Sequence, residues 1–388
     1  MSKWHSDRLS KLQPYLFRDI DRQAGEARAA GRDVIDFGVG DPDKPTPSFI
    51  VDRMADAVRD PANHQYSAGA GSLAFRETVA RYFDRRFRVT VEPVGEVLAL
   101  VGSKEGLGHL PTAVMNPGET ALVPDPGYPV YHSGTLFAGG ICHTMPLRPE
   151  NGFLPVLADI PDDVRSRARL MFLNYPNNPT SAIAPLSFFE EAVAFARDHD
   201  ILIVQDAAYC ELHFGQAPPS ILQVAGAKEV CVEMHSLSKT FNMTGWRIGF
   251  AVGNADALAA LGKVKNNMDS GVFGAIQEAG IEALEHLDHV EVRALLDVYR
   301  QRRDIVVGGL REAGWKVDEP VATFYVWAKC PAGLNSMTVV ARMLDEADVV
   351  VIPGVGFGSS GDGYVRFALT VPKDRAVEAI RRIAALEW

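Results

Sequence analysis

Seven short apolar runs crowd the middle of this chain: "VLALV", "TALVP", "ICHTMPL", "RLMFLNYP", "ILIVQDA", "VCVEMHS" and "IGFAVG". Helical patterns such as "LSFFEEAVAFARDHD" separate most of them. Apolar runs this short, alternating with helices, point to α/β organisation around a largely parallel, buried sheet. Ligands of such sheets gather at the carboxyl ends of the strands. The residues that follow each run are therefore the candidates for chemistry.

The flanks read differently. The N-terminal stretch reads as an arm, a helix and a short strand ended by the Gly/Pro/Asp cluster after Phe37, and helices follow over Ile50 to Val58 and Ser72 to Phe87, the second capped by Ser72. After Gly274 one long helical tract runs to Gly314, followed by the strands "TFYVWAK", "VVVIP" and "YVRFAL" and the helices "SMTVVARMLDEA" and "DRAVEAIRRIAALEW". With 388 residues the chain is too long for one core. The expected division is an arm and part of a small domain over 1–45, a large domain over 46–290 and a small α+β domain over 291–388.

A net charge of −10 argues against a nucleic-acid surface, although local cations still suit small anions. The four cysteines, Cys142, Cys210, Cys231 and Cys330, lie far apart without C-x-x-C spacing, so reduced thiols in a cytoplasmic protein are expected rather than disulfides or a metal site. The first residues lack a signal-peptide apolar run, and no stretch is apolar enough to cross a membrane.

At the strand ends, each feature has an ordinary alternative. Gly102-Ser103-Lys104-Glu105-Gly106 opens a helix and suits an anion, or is a capped turn. Tyr128 after "TALVPDPG" suits stacking on a planar ligand, or is a core tyrosine. Asn174-Tyr175-Pro176-Asn177-Asn178-Pro179-Thr180 is a rigid turn that presents an amide. Asp206 closes an apolar strand and needs a cationic or N–H partner, or caps a helix. Ser236, Ser238, Lys239 and Arg247 follow the next strand, and a lysine held there suits imine chemistry with an aldehyde. Together these groups match the outline of pyridoxal 5′-phosphate: phosphate, pyridinium, phenolic oxygen and aldehyde.

The run S-L-S-K-T-F-N-M-T-G-W-R-I-G resembles the signature of the class I/II, fold type I pyridoxal-phosphate aminotransferases. V-G-D-P-D at Gly40, Y-S-A-G-A-G at Tyr66, G-S-K-E-G, P-G-Y-P, N-Y-P-N-N-P-T, D-A-A-Y and V-R-F-A-L at Arg366 agree in order. Within the family, D-F-G-V-G-D-P-D-x-P-T-P, G-S-K-E-G and the early L-x-P-Y-L-F are most similar to the LL-diaminopimelate aminotransferases. One residue departs: Ser181 stands where the family usually has glycine, which implies a slightly altered turn.

The resemblance implies a mostly parallel mixed seven-stranded sheet and a homodimer. It implies that Lys239 holds the cofactor and moves the substrate proton, that Asp206 pairs with the ring nitrogen, and that Tyr209 and Asn178 contact the phenolic oxygen. Tyr128 stacks on the ring. Ser103, Lys104, Ser236, Ser238 and Arg247 surround the phosphate, with Tyr66 reaching it from the other subunit. Arg366 grips the substrate carboxylate beside Gly40, Tyr128 and Asn178 also contact the substrate, and Tyr15 and Lys104 serve the substrate's distal group, unless Lys104 serves the phosphate alone. The implied activity is amino transfer between LL-diaminopimelate and 2-oxoglutarate in lysine biosynthesis. Aspartate, alanine, glutamine or aromatic aminotransferases, a C–S lyase of the same fold, and a ligand-sensing regulatory domain are the alternatives.

Overall fold

The seven central runs all become strands. In the computed structural model, which describes residues 4–12 and 16–388, they are β2 (Val97–Leu100), β3 (Thr120–Asp125), β4 (Ile141–Pro146), β5 (Ala168–Asn174), β6 (Leu202–Asp206), β7 (Cys231–Ser236) and β8 (Gly249–Gly253), preceded by a two-residue β1 (Ile35–Asp36). They form one sheet in the order β2-β8-β7-β6-β5-β3-β4. Only β8 runs against its neighbours β2 and β7; the β7–β6, β6–β5, β5–β3 and β3–β4 pairs are parallel. The order reverses direction between β3 and β5, and the parallel strands β5, β6 and β7 end side by side, Asn174 opposite Asp206 and Asp206 opposite Met234. β2, β3 and β8 are buried along their length, as the unbroken apolar runs demand. β4 is the exception: as an edge strand it is largely exposed, and its sequence carries His143 and Thr144 accordingly.

Ser72 caps the helix Leu73–Phe87, accepting from Phe75 N at 3.2 Å. The long tract after Gly274 is not one helix. It divides into Gly274–Glu285, which packs on the helices Ser48–Ala57 and Leu73–Phe87, and Val290–Glu312, which packs on Lys373–Ala384. The break falls at 286–289, where His289 turns out of helical conformation and its ring accepts from Glu291 N to cap the second helix. Periodicity alone does not see this break, because both helices present apolar residues at helical spacing.

A second layer holds β9 (Tyr325–Lys329), β10 (Val349–Val350), β11 (Ile352–Pro353) and β12 (Tyr364–Ala368). "VVVIP" is split between two sheets: β10 pairs parallel with β1, while β11 joins β12 and β9 in an antiparallel sheet. Its apolar core, with Phe37, Phe324, Val349, Phe367 and Ile383, is distinct from the two cores on the faces of the large sheet. Among the described residues no helix is long and apolar enough to cross a membrane.

Candidate active site

The strand ends of the large sheet and the second layer enclose a cleft of about 460 Å³. Ser103, Lys104, Tyr128, Asn178, Asp206, Tyr209, Ser236, Ser238, Lys239, Arg247, Gly40 and Arg366 all line it. Tyr66 is 90% exposed on the surface of the chain, away from this cleft, and Tyr15 lies outside the described residues.

Lys239 sits in the short helix Leu237–Thr240 that follows β7, and its Nζ donates to Gly40 O at 3.0 Å. Desolvation in the cleft pulls its proton affinity down to about 8, and the nearby Arg366 and Arg247 charges push the same way against Asp41 and Asp206. A neutral, nucleophilic amine is thus within reach near neutral pH.

Asp206, at the end of β6, is buried; it accepts from Tyr131 OH at 2.8 Å and from Ala208 N at 3.2 Å. Burial raises its carboxyl to about 6 despite those bonds and the pull of His235 and Lys239. A carboxylate so destabilised is matched by a cation placed against it, and a protonated ring nitrogen supplies one.

Arg366, on β12, is held between aromatic faces, its guanidinium carbon 4.3 Å from the Tyr325 ring centre and 4.8 Å from that of Phe357. Its Nη1 donates to Asn178 Oδ1 at 3.0 Å and its Nη2 to Gly38 O at 2.9 Å, while Nε is buried without a partner among the described residues. Since a guanidinium only donates, Asn178 must turn its carbonyl to Arg366, which leaves its amide N–H₂ as a donor to the cleft. Asn178 is itself fixed by a bond from its N–H to Asn174 Oδ1 at 2.9 Å.

The phosphate end is built by close approach. Gly102, at φ +74°, ends β2's turn, and a Cβ there would overlap the Arg247 guanidinium. Ser103 begins the helix Ser103–Val114, Ser236 caps the helix carrying Lys239 by accepting from Ser238 N at 3.2 Å, and Arg247 takes the left-handed conformation at φ +57° with Nη1 on Thr244 O. Lys104 lies 5.9 Å from the Tyr128 ring centre. The donors present here, two helix starts, serine hydroxyls and a guanidinium, are those an oxyanion needs. The chain's own groups therefore fit pyridoxal phosphate at each end: anion donors, a buried carboxylate suited to a ring cation, phenol and amide donors, and a desolvated amine.

The residue list from the sequence omitted several groups that shape this cleft. Tyr131 sits one helical turn after Tyr128 and holds Asp206. Tyr325 bonds Tyr209 OH to OH at 3.0 Å and supports Arg366. Asn174 binds Asp206 O at 2.9 Å and Asn178 N. Asp21 and Asp41 add acidic side chains to the lining. Tyr131 was findable from its helical spacing to Tyr128; Tyr325 was not, because it lies in an unbroken buried strand whose pattern reads as core.

Residues 32–383 match the family model for aminotransferase class I and II. The chain is 54% identical over 384 residues to an LL-diaminopimelate aminotransferase of Syntrophobacter fumaroxidans, covering 99% of each. Among solved structures it resembles substrate-bound BacF from Bacillus subtilis, with a TM-score of 0.94 at 38% identity over 99% of this chain and 98% of that one. It also resembles a variant of Thermus thermophilus aspartate aminotransferase, with a TM-score of 0.92 at 29% identity over 99% of each. With the cleft's lysine, carboxylate and arginine in place on this sheet, the chain belongs to the class I and II aminotransferases.

Proposed function

We propose that this pyridoxal-phosphate-dependent transaminase moves an amino group between LL-diaminopimelate and 2-oxoglutarate, in lysine biosynthesis. The observation that carries the substrate reading is full-length identity of 54% to a relative named for that substrate, beside 29% to the aspartate enzyme variant. The cleft agrees in charge. Beyond Asp206 and Arg366 it offers Lys104, Asp21 and Asp41, both signs that a second ammonium and carboxylate require.

When bound, the cofactor supplies an electron sink that stabilises negative charge at the substrate Cα. The chain does the rest. Arg366 binds the α-carboxylate, its unpartnered Nε and aromatic sandwich presenting a preformed fork. Lys239 Nζ, deprotonated readily, takes the proton from Cα and returns it. Asp206 would pair with the ring nitrogen, Tyr209 and the Asn178 amide would donate to the phenolic oxygen, and Tyr128 would stack on the ring. Ser103, Lys104, Ser236, Ser238 and Arg247 would hold the phosphate; at about 1.5–3 kcal/mol per charge-assisted bond, several are needed to retain the cofactor by non-covalent contacts.

The proposal includes a homodimer in which Tyr66 serves the partner's phosphate, supported by the high exposure of that tyrosine in the single chain. Sedimentation as a monomer at micromolar concentration would sink it. It also includes a cytoplasmic location, supported by four unpaired thiols, and a division at 45 and 290, supported by the break between the helices Gly274–Glu285 and Val290–Glu312. Reporter-fusion fractionation and limited proteolysis test these.

The deciding experiment presents single amino donors to the holoprotein and follows loss of the cofactor's visible band. LL-diaminopimelate and glutamate are expected to convert it to the amine form. Conversion by aspartate or tyrosine with none by LL-diaminopimelate overturns the substrate assignment.

A further inference from the structure

Ser181 and Thr323 face each other in backbone conformations that neither residue type favours. Ser181 has φ +62° and Thr323 φ +64°, and a β-branched residue there is strained. Both are buried. Their hydroxyl oxygens are 2.7 Å apart, Ser181 Oγ donates to Tyr325 O at 2.8 Å, and Tyr325 N donates to Thr323 Oγ1 at 3.0 Å. Proton count sets the remaining direction. The serine's one proton goes to the carbonyl, so the threonine must donate to the serine. The result is a closed ring: Tyr325 N–H to Thr323 hydroxyl, to Ser181 hydroxyl, to Tyr325 C=O. It clasps the backbone of Tyr325 from both sides, and it joins the turn after Asn178 to the start of β9.

Tyr325 is the residue this clasp aims. Its hydroxyl meets Tyr209 OH at 3.0 Å, its ring supports the Arg366 guanidinium, and a Cβ on Gly40 would overlap its hydroxyl. One tyrosine thus touches Tyr209 and Arg366, to which the proposed function assigns cofactor and substrate contacts, and packs against Gly40. We infer that Tyr325 is a positioning residue, held by the Ser181–Thr323 hydroxyl ring, which donates to Tyr209 so that Tyr209's own proton is directed at the cofactor's phenolic oxygen, and which keeps Arg366 in register with the substrate carboxylate. Burial keeps the Tyr209 proton in place, so a second donor behind it strengthens the bond in front of it. The serine in place of glycine is then a working part of the site, since glycine would satisfy the positive φ but leave the ring open.

The inference rests on the cofactor reading above, and its test separates the two. The holoprotein is titrated with pH, the midpoint of the visible absorbance change is recorded, and KM and kcat for glutamate are measured on the same samples. Y325F keeps the ring beneath Arg366 but loses the hydroxyl. It is expected to raise the midpoint by about half to one pH unit, the worth of one hydrogen bond, with KM within about twofold of wild type. S181G relieves the backbone strain but leaves the buried Thr323 hydroxyl and Tyr325 carbonyl without their partner, so it is expected to fold with somewhat lower stability, and it opens the clasp: the midpoint rises and KM increases about threefold to tenfold. T323S keeps a hydroxyl and is expected to match wild type in both. An unchanged midpoint in Y325F overturns the inference, and so does an S181G protein identical to wild type in midpoint and KM. A wild-type protein with no titrating visible band sinks the cofactor reading itself, and the inference with it.

Discussion

Arg366 on β12 donates to the side-chain carbonyl of Asn178 at 3.0 Å, so the residue expected to grip the substrate and a residue expected to touch the cofactor are one hydrogen-bonded unit. They come from different layers of the molecule and are 188 positions apart in sequence. Removing Asn178 therefore reaches the substrate through the guanidinium. N178A leaves the guanidinium short of an acceptor, so KM should rise by roughly tenfold for every amino and oxo acid alike, the worth of a hydrogen bond to a charged group. Steady-state kinetics with two donors checks this; a rise for one donor alone would mean that Asn178 reads the side chain instead.

Lys239 predicts a pH dependence of cofactor uptake. Its proton affinity in the cofactor-free protein is pulled down to about 8, chiefly by desolvation. The unprotonated amine is the nucleophile, and its population grows as pH rises through that value. The rate at which cofactor-free protein takes up pyridoxal phosphate should climb between about pH 7 and 9 and then level, read by the visible band after stopped-flow mixing. K239A should show neither the band nor the climb.

Asp206 predicts a trade between stability and function. Its buried carboxyl is raised to about 6 from the ordinary 3.8. Between those values the folded state binds more protons than the unfolded one, so stability falls as pH rises through that window, and the cost is fully present at neutral pH. In the cofactor-free protein, D206N should thus be more stable at pH 7, by about 1–3 kcal/mol in urea, while losing nearly all transamination. The stability gain should vanish below about pH 4, where wild-type Asp206 is neutral in both states.

Gly102 predicts a defect in retention rather than chemistry. At φ +74°, with Arg247 packed where a Cβ would stand, G102A must displace the guanidinium and strain the turn. The cofactor should dissociate roughly tenfold more readily, one charge-assisted bond's worth, measured by dilution of the amine form. The initial rate at saturating cofactor should fall far less.

The site's chemistry was legible because it sits at strand ends, where an apolar run stops and a polar residue follows. Asp206 after "ILIVQ" and Lys239 after "VCVEMHS" announce themselves this way. Helix patterns were legible too, apart from the break at 286–289, where a histidine cap interrupts two helices of like periodicity. Ser181 was visible as an oddity, but its partner was not.

Local sequence determined the large sheet, because each run's length and turn residues select strand over helix before any distant contact forms. It also determined the chemical identity of the cleft's reactive groups. Only the tertiary structure decided what tunes them. Tyr131 against Asp206, Tyr325 against Tyr209 and Arg366, and Ser181 against Thr323 are contacts between residues up to 142 positions apart. Hydrogen bonds and desolvation depend on distances of a few ångströms in space, and a linear pattern carries no information on which buried hydroxyl will face which.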